Sequence, residues 1–173
     1  MTHDLTLYLY HPKNPDHHRV QKMSLPTSPQ KIRQIVNELY AAWSLHEPDR
    51  IDAIFSDDAA YEDVAGRQVL HGKLEIKQIL RAAFSWAPDF RVTMTSLIIA
   101  GDTCTTEWVI EGTQVGPTPA GPLGELPATG RTFLLRGASI IAFRGDRIVR
   151  VTDYYDMATF LRQLGVSFVA PKS

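Results

Sequence analysis

The spacing of hydrophobic residues along the chain changes from helical to strand-like near Phe90. Before this point, apolar residues mostly recur three or four positions apart, which is the period of an amphipathic helix. In order, this half predicts a helix over 29–46, a short helix over 48–55, two short strands over 59–64 and 67–72, and a helix over 74–88. Ser28 is a suitable N-cap for the first helix.

Beyond Phe90, apolar residues alternate with polar ones, and this pattern predicts extended strands. The strands are expected at about 90–100, 103–115, 131–144 and 147–155. The pairs Gly101-Asp102 and Gly145-Asp146 stand where two hairpins need turns. A last helix, "MATFLRQLG", follows Asp156 as its N-cap.

The segment 116–130, "GPTPAGPLGELPATG", is too rich in Gly and Pro to join a sheet. A loop of this length in a compact domain often has a function, such as that of a lid. A simple hairpin connection between two strands is the other interpretation, and the sequence leaves both open.

The order of the elements predicts an α+β fold. A strongly curved, mostly antiparallel sheet is expected to wrap over the N-terminal helices as a cone with an internal cavity. The folded domain is expected over 28–166, followed by a short C-terminal tail over 167–173.

Residues 1–27 differ from the rest of the chain because they are polar and contain several prolines. They are expected to form an irregular arm with one short strand at Leu5 to Tyr10. His17 and His18 lack further ligands at the spacing of a metal site, which favours a solvated arm over metal binding.

The composition is typical of one compact domain in a reducing cytoplasm. The 173 residues are 44% hydrophobic with a formal net charge of -1 and no basic run, so neither nucleic acid nor a membrane surface is expected as a partner. No stretch approaches the roughly 20 apolar residues of a membrane span. Cys104 is the single cysteine. The sequence contains no Gly-rich phosphate loop and no metal-ligand cluster, so no cofactor and no metal are expected.

Asp153 is an unusual residue for its position in the last strand. Alternate residues of a strand share a face, so Asp153 is expected on the apolar face of Val149, Val151 and Tyr155. A carboxylate in an apolar cavity loses hydration and its pKa rises, which prepares it to accept and return a proton near neutral pH. A structural acid, hydrogen-bonded to a tyrosine or to the backbone, is the other interpretation.

A second carboxylate and several aromatic side chains are expected near Asp153. Asp63 shares a strand face with Tyr61. Its carboxylate either faces the same cavity as Asp153 or caps the turn at Gly66. Aromatic residues either line the cavity and contact a flat, largely apolar ligand or fill a solid core. The candidates are Tyr40, Trp43, Phe55, Tyr61, Phe84, Trp86, Trp108, Phe133 and Tyr155.

The stretches "FSDDAAYEDVAGRQVLHG", "GPLGELPATGRTFLLRGASIIAF" and "DRIVRVTDYYDMATFLRQLG" together resemble the nuclear transport factor two-like fold and, within it, the SnoaL-like polyketide or ester cyclases. The resemblance runs from about Pro29 to Gly165. It implies that Asp153 matches the single general acid and base of the cyclases. Asp63 matches the proton-transferring aspartate of the related ketosteroid isomerases. Ser139 stands where those isomerases have an oxyanion-binding aspartic acid and where the cyclases have a histidine.

The implied activity is cofactor-free acid–base catalysis on a small, largely apolar or aromatic carbonyl compound, with ring closure or isomerisation as the outcome. Two alternatives stay open. "TDYYDM" also resembles limonene epoxide hydrolases, but Trp108 and Ile110 stand at the places of the arginine and second aspartate that those enzymes need. The fold also hosts ligand-binding and assembly domains without catalysis.

Both faces of the strand "LLRGASIIAF" are apolar. Leu134, Ala138 and Ile140 share the face that a lone domain would expose to solvent. A second copy of the chain is therefore expected to cover this face, which predicts a homodimer.

Overall fold

The computed structural model describes residues 27–118 and 124–167. Its helices are α1 (Pro29–Ser44), α2 (Ile51–Ile54), α3 (Gly72–Trp86) and α4 (Met157–Gln163), with a short 3₁₀ helix at Pro48–Arg50. Its strands are β1 (Phe55–Asp63), β2 (Gln68–His71), β3 (Arg91–Ala100), β4 (Thr103–Thr113), β5 (Thr132–Arg144) and β6 (Arg147–Tyr155). The predicted arm, including the strand at Leu5 to Tyr10, lies outside the described residues except for Thr27. Of the predicted tail, only Ser167 is described.

The six strands form one curved sheet in the order β2-β1-β6-β5-β4-β3. The pairing of β1 with β6 is parallel, and every other neighbouring pair is antiparallel. The predicted α+β class with a mostly antiparallel sheet is therefore confirmed. The parallel pair joins a strand from the helical half of the chain to the last strand, and this brings the two halves of the site together.

The helices pack on one face of this sheet through continuous apolar stripes. In α1, Ile32 and Val36 are completely buried, and in α3 Ile76 and Leu80 are. These stripes follow the three- and four-residue spacing seen in the sequence, since residues at that spacing share one face of a helix. The Ser28 hydroxyl accepts a hydrogen bond from the Lys31 amide and caps α1, as its residue type predicted.

Phe55 requires a correction. The sequence pattern ended a helix at Phe55 and made it a candidate to contact ligand. Instead, Phe55 begins β1 opposite Ile148, and none of its surface is exposed. It belongs to the main hydrophobic core because the helix before it ends at Ile54 and the chain enters the sheet there.

The outer face of the sheet exposes large apolar side chains. Ile98 is 67% exposed, Leu134 51%, Ile140 44% and Tyr154 46%. Ile98 and Ile140 lie in one row, because each pairs across the sheet with Thr105 of the strand between them. Within the described part of the chain, no helix combines the length and the apolar character needed to cross a membrane.

Replacing Phe55 by Ala should lower the free energy of unfolding by about 3–5 kcal/mol, because truncating a buried Phe leaves a void in the core. Chemical denaturation measures this loss. Leu45→Ala is the control, since Leu45 is 58% exposed, and its effect should stay within about 0.5 kcal/mol. Similar small effects at both positions would contradict the core placement of Phe55.

Candidate active site

A cavity of about 540 Å³ lies between the sheet and the helices α1, α3 and α4. This volume is in the range of pockets that hold small molecules. The wall is mostly apolar, and all three tryptophans of the chain contribute to it. The aromatic residues of the wall are Tyr40, Trp43, Tyr61, Trp86, Phe90, Trp108, Phe133, Tyr155 and Phe160.

Polar side chains cross the sheet in one row on the cavity side. Asp153 of β6 pairs with Asp63 of β1 on one side and with Ser139 of β5 on the other. Ser139 in turn pairs with Thr106 of β4. Neighbouring strands are about 4.8 Å apart, so consecutive members of the row are close neighbours. Asp63, Asp153 and Ser139 thus bring polar groups from three strands into a mostly apolar wall, and the row continues to Thr106, which is fully buried.

The carboxylate of Asp153 is held by two side chains, one on each oxygen. The Ser139 hydroxyl donates to Oδ1 at 2.6 Å, and the Tyr61 hydroxyl donates to Oδ2 at 2.5 Å. Each carboxylate oxygen has two lone pairs, so one on each remains for a proton or a ligand. The group is fixed in place and can still accept a proton.

Trp108 determines the direction of the Ser139 hydrogen bond. The indole Nε1 donates to Ser139 Oγ at 2.8 Å. An indole N–H can only donate, and a hydroxyl has a single hydrogen. Ser139 therefore accepts from Trp108 and gives its own hydrogen to Asp153, which stabilises the ionised carboxylate.

Gly137 makes room for this arrangement. It stands opposite Trp108 in the pairing of β4 with β5. A Cβ atom at position 137 would lie 2.2 Å from the Trp108 ring, far inside van der Waals contact. Any side chain at this position would push the indole away from Ser139.

Burial raises the pKa of Asp153 from its ordinary value of 3.8 to about 6. The nearby charge of Asp63 also raises this pKa, while the hydrogen bonds from Ser139 and Tyr61 lower it. Burial raises the pKa of Tyr61 well above its ordinary value, so the tyrosine keeps its proton. Asp153 can thus exchange a proton near neutral pH, while Tyr61 acts only as a hydrogen-bond donor.

Asp63 has two structural partners and a place on the cavity wall. Its Oδ1 accepts from the Gly66 amide at 2.7 Å, and its Oδ2 accepts from the Tyr155 hydroxyl at 2.9 Å. The turn-capping role expected from the sequence is therefore present. The same carboxyl also lines the cavity beside Asp153, so the two interpretations of Asp63 are compatible.

The aromatic candidates divide between the wall and the core. Tyr40, Trp43, Tyr61, Trp86, Trp108, Phe133 and Tyr155 line the cavity, whereas Phe55 and Phe84 do not. The ring of Phe84 stacks on His46 at a centroid distance of 4.1 Å and meets Trp43 edge-on. Phe84 therefore supports the wall from behind, because the helical turn directs it towards α1.

Several wall residues were not among the sequence-based candidates. Phe160 and Met157 of α4 and Leu126 of the long loop contact the cavity, as does Arg67 in the turn between β1 and β2. The apolar spacing of α4 was a usable signal for Phe160. Nothing in the local sequence indicates that Arg67 reaches the cavity, because that depends on how β1 pairs with β6.

The segment 116–130 approaches the cavity through its described parts, since Thr118, Gly124 and Leu126 belong to the wall. Gln114, which is fully buried, ties the base of this loop together. Its amide nitrogen lies 3.0 Å from the carbonyl oxygen of Pro127, and its amide oxygen accepts from the Thr129 hydroxyl at 2.6 Å. The base of the loop is therefore fixed by side-chain hydrogen bonds.

The comparisons with known proteins point to one family. The profile of the SnoaL-like polyketide cyclase family matches residues 31–164. No curated protein matches the chain significantly.

Three of the solved structures that are similar to the chain illustrate the range of the comparison. TsrD from Streptomyces laurentii is 23% identical with a TM-score of 0.70, covering 80% of this chain and 97% of its own. A protein with a ketosteroid isomerase-like fold from Catenulispora acidiphila, in complex with trimethylamine, is 27% identical with a TM-score of 0.66. The match covers 82% of this chain and 96% of that protein. IdmH from Streptomyces antibioticus, provisionally described as a polyketide cyclase, is 22% identical with a TM-score of 0.64. The match covers 78% of this chain and 98% of IdmH. The similarity to TsrD and IdmH shows a common fold.

Gly137→Ala should lower the free energy of unfolding by about 1–3 kcal/mol, because the added methyl group overpacks the site against the Trp108 ring. It should also shift the indole N–H resonance of Trp108 in an NMR spectrum. In the double variant Gly137→Ala/Trp108→Leu the loss should be smaller than the sum of the single losses, since the clash is absent. A Gly137→Ala variant as stable as the wild type would contradict this packing.

Proposed function

This chain belongs to the SnoaL-like polyketide cyclase family, and we propose that it is a cofactor-independent enzyme that moves protons on a small, largely apolar carbonyl compound and so closes a ring or isomerises it. In this proposal Asp153 is the general base and then the general acid. Ser139 and Tyr61 hold its carboxylate, and Asp63 raises its proton affinity. The aromatic wall binds the flat, apolar body of the substrate.

One observation carries the proposal. Asp153 is a half-buried carboxylate whose remaining surface belongs to the wall of an apolar cavity, and each of its oxygens accepts a hydrogen bond from a fixed side chain. A purely structural acid would have no reason to face a cavity large enough for a ligand. Perturbed carboxylates in such clefts are typical of active sites.

The reaction begins when Asp153 removes a proton from the carbon next to a carbonyl group, which leaves an enolate. In ring closure, the enolate carbon forms a bond to a second carbonyl carbon of the same molecule, and the resulting alkoxide takes the proton from Asp153. In isomerisation, Asp153 instead returns the proton to another carbon of the conjugated system. Either route restores the ionised carboxylate, so the step consumes no co-reactant.

Epoxide hydrolysis is disfavoured by the contacts of Trp108. Hydrolases of that kind place an arginine where this chain has Trp108, and here the indole N–H is used to orient Ser139. Ile110, at the place of their second aspartate, contributes an apolar surface to the wall.

Asp153→Asn should lower catalysis by at least about a hundredfold, because the amide keeps the size of the side chain and cannot accept the proton. The natural substrate is not needed for this test. The flat ketone 2-tetralone carries acidic protons beside its carbonyl group, and NMR measures their exchange for deuterium. Asp58→Asn is the control, because it changes an acid on the same sheet whose side chain is 64% exposed. This variant should exchange the protons of 2-tetralone at the wild-type rate. Equal exchange rates for Asp153→Asn and the wild type would contradict the proposal.

The same variant has a pH signature with a defined sign. Burial favours the protonated form of Asp153 and so raises its folded-state pKa. The folded protein therefore gains stability from this group at low pH, and that gain is lost as the pH rises from about 4 through about 6. At pH 8 the wild-type carboxyl is ionised, whereas the amide of Asp153→Asn is neutral. The melting temperature of the variant at pH 8 should therefore be no lower than that of the wild type. The wild-type exchange rate should rise with pH and level off above about 6, since the ionised form is the active one.

We also propose that segment 116–130 covers the cavity during the reaction and excludes water. Gln114→Leu should loosen the loop, because it leaves the Thr129 hydroxyl and the Pro127 carbonyl without their partner. The expected result is weaker binding of 2-tetralone in calorimetry, with the fold retained. Gln163→Leu is the matched control, since Gln163 bonds to the backbone of Leu134 away from the loop. An unchanged affinity in Gln114→Leu would make the segment a mere connection.

We further propose that two copies of the chain associate through the exposed outer face of the sheet. The support is the cluster of large apolar side chains there, including Ile98 and Ile140, which a stable monomer rarely leaves in contact with water. Sedimentation at micromolar concentration should give a dimer, and Ile140→Glu should give a monomer because it puts a charge in the interface. A monomeric wild-type protein would contradict this proposal.

A further inference from the structure

Arg67 occupies a backbone position that normally belongs to other residue types. Its φ angle is 53°, in the left-handed region, and its amide donates to the Val64 carbonyl at 3.3 Å to close the turn between β1 and β2. Such positions favour Gly and Asn because a longer side chain is strained there. Strain of this kind concentrates at functional sites, so the arginine at this point needs an explanation.

The position of the Arg67 side chain explains why an arginine is found at this strained point of the backbone. Arg67 is exposed and also contributes to the cavity wall, where it is the only lysine or arginine among the described wall residues. In the described part of the chain, no ion pair includes Arg67. The nearby carboxylates have other partners, since Asp63 accepts from Gly66 and Tyr155, and Glu62 pairs with Arg150.

We propose that Arg67 binds a carboxylate group of the substrate at the mouth of the cavity. This inference rests on the proposed function and specifies its substrate class as carbonyl compounds that carry a carboxylate at the end away from the reacting carbon. The planar guanidinium matches a carboxylate with two parallel hydrogen bonds. Asp153 would repel an anion at the reacting end of the cavity. The carboxylate of Asp63, beside the same turn as Arg67, is already held by the Gly66 amide and the Tyr155 hydroxyl, which leaves the guanidinium of Arg67 to attract the anion.

Calorimetric titration with two probes of the same ring system tests this inference. The probes are 2-naphthoate, a flat aromatic carboxylate, and 2-acetonaphthone, its neutral ketone counterpart. Wild-type protein should bind 2-naphthoate more tightly, and added salt should reduce that preference. Arg67→Asn should weaken binding of 2-naphthoate by about tenfold and leave 2-acetonaphthone unchanged, a loss in line with a hydrogen bond to a charged group.

Three controls separate charge recognition from a change in the fold. Arg67→Lys keeps the charge and the strain but loses the pair of parallel hydrogen bonds, so it should retain only part of the preference for the carboxylate. Arg67→Asn should melt at or above the wild-type temperature, since Asn adopts the left-handed region readily. Arg33→Asn removes an exposed arginine from α1 and should bind both probes as the wild type does.

Equal losses for both probes in Arg67→Asn, no loss for either, or the absence of a carboxylate preference in the wild type would each overturn the inference. These outcomes do not bear on Asp153, because binding is measured without turnover. Conversely, a failure of the exchange experiment with 2-tetralone would overturn the acid–base proposal and leave the binding result intact.

Discussion

The cost of an ionised carboxylate in an apolar wall governs the arrangement of this domain. Asp153 can lose its proton inside the cavity only because two hydroxyl groups replace the water that it has lost. Those hydroxyls come from different strands, so the sheet must hold three strands in one register. The indole of Trp108 then fixes the hydroxyl of Ser139, and the absence of a side chain at Gly137 gives the indole its place. Each requirement follows from the one before it.

Strand register is consequently as important as residue type at this site. Ser139 faces Asp153 because β5 and β6 pair with these two residues opposite one another. A slip of one residue would turn Ser139 to the outer face and bring Ile140 towards the cavity. In the observed register Ile140 is exposed on the outer face, whereas Ser139 is buried and hydrogen-bonded on the inner face. The wrong register would take Ser139 away from Asp153 and break the network.

Much of the fold and the central residue could be predicted from the sequence alone. The helical and strand periods gave the elements to within a few residues, and Asp153 was identifiable because a carboxylate interrupts an apolar strand face. The family resemblance is confirmed by the match over 31–164. Phe55 and Phe84 were misplaced because aromatic residue type does not distinguish a cavity wall from the core behind it. The bond from Trp108 to Ser139 and the position of Arg67 depend on pairings between distant strands, which no local pattern encodes.

The parallel pairing of β1 with β6 has a consequence for how the protein is made. Tyr61 and its acceptor Asp153 are 92 positions apart in the chain. Contacts of such high sequence separation form late, because a long loop must close before they contribute any stability. During synthesis β1 emerges early and has no partner on that side until β6 and the last helix leave the ribosome. The carboxylate of Asp153 therefore gains its hydroxyl partners only at the end of folding, and a partly made chain does not contain the assembled network.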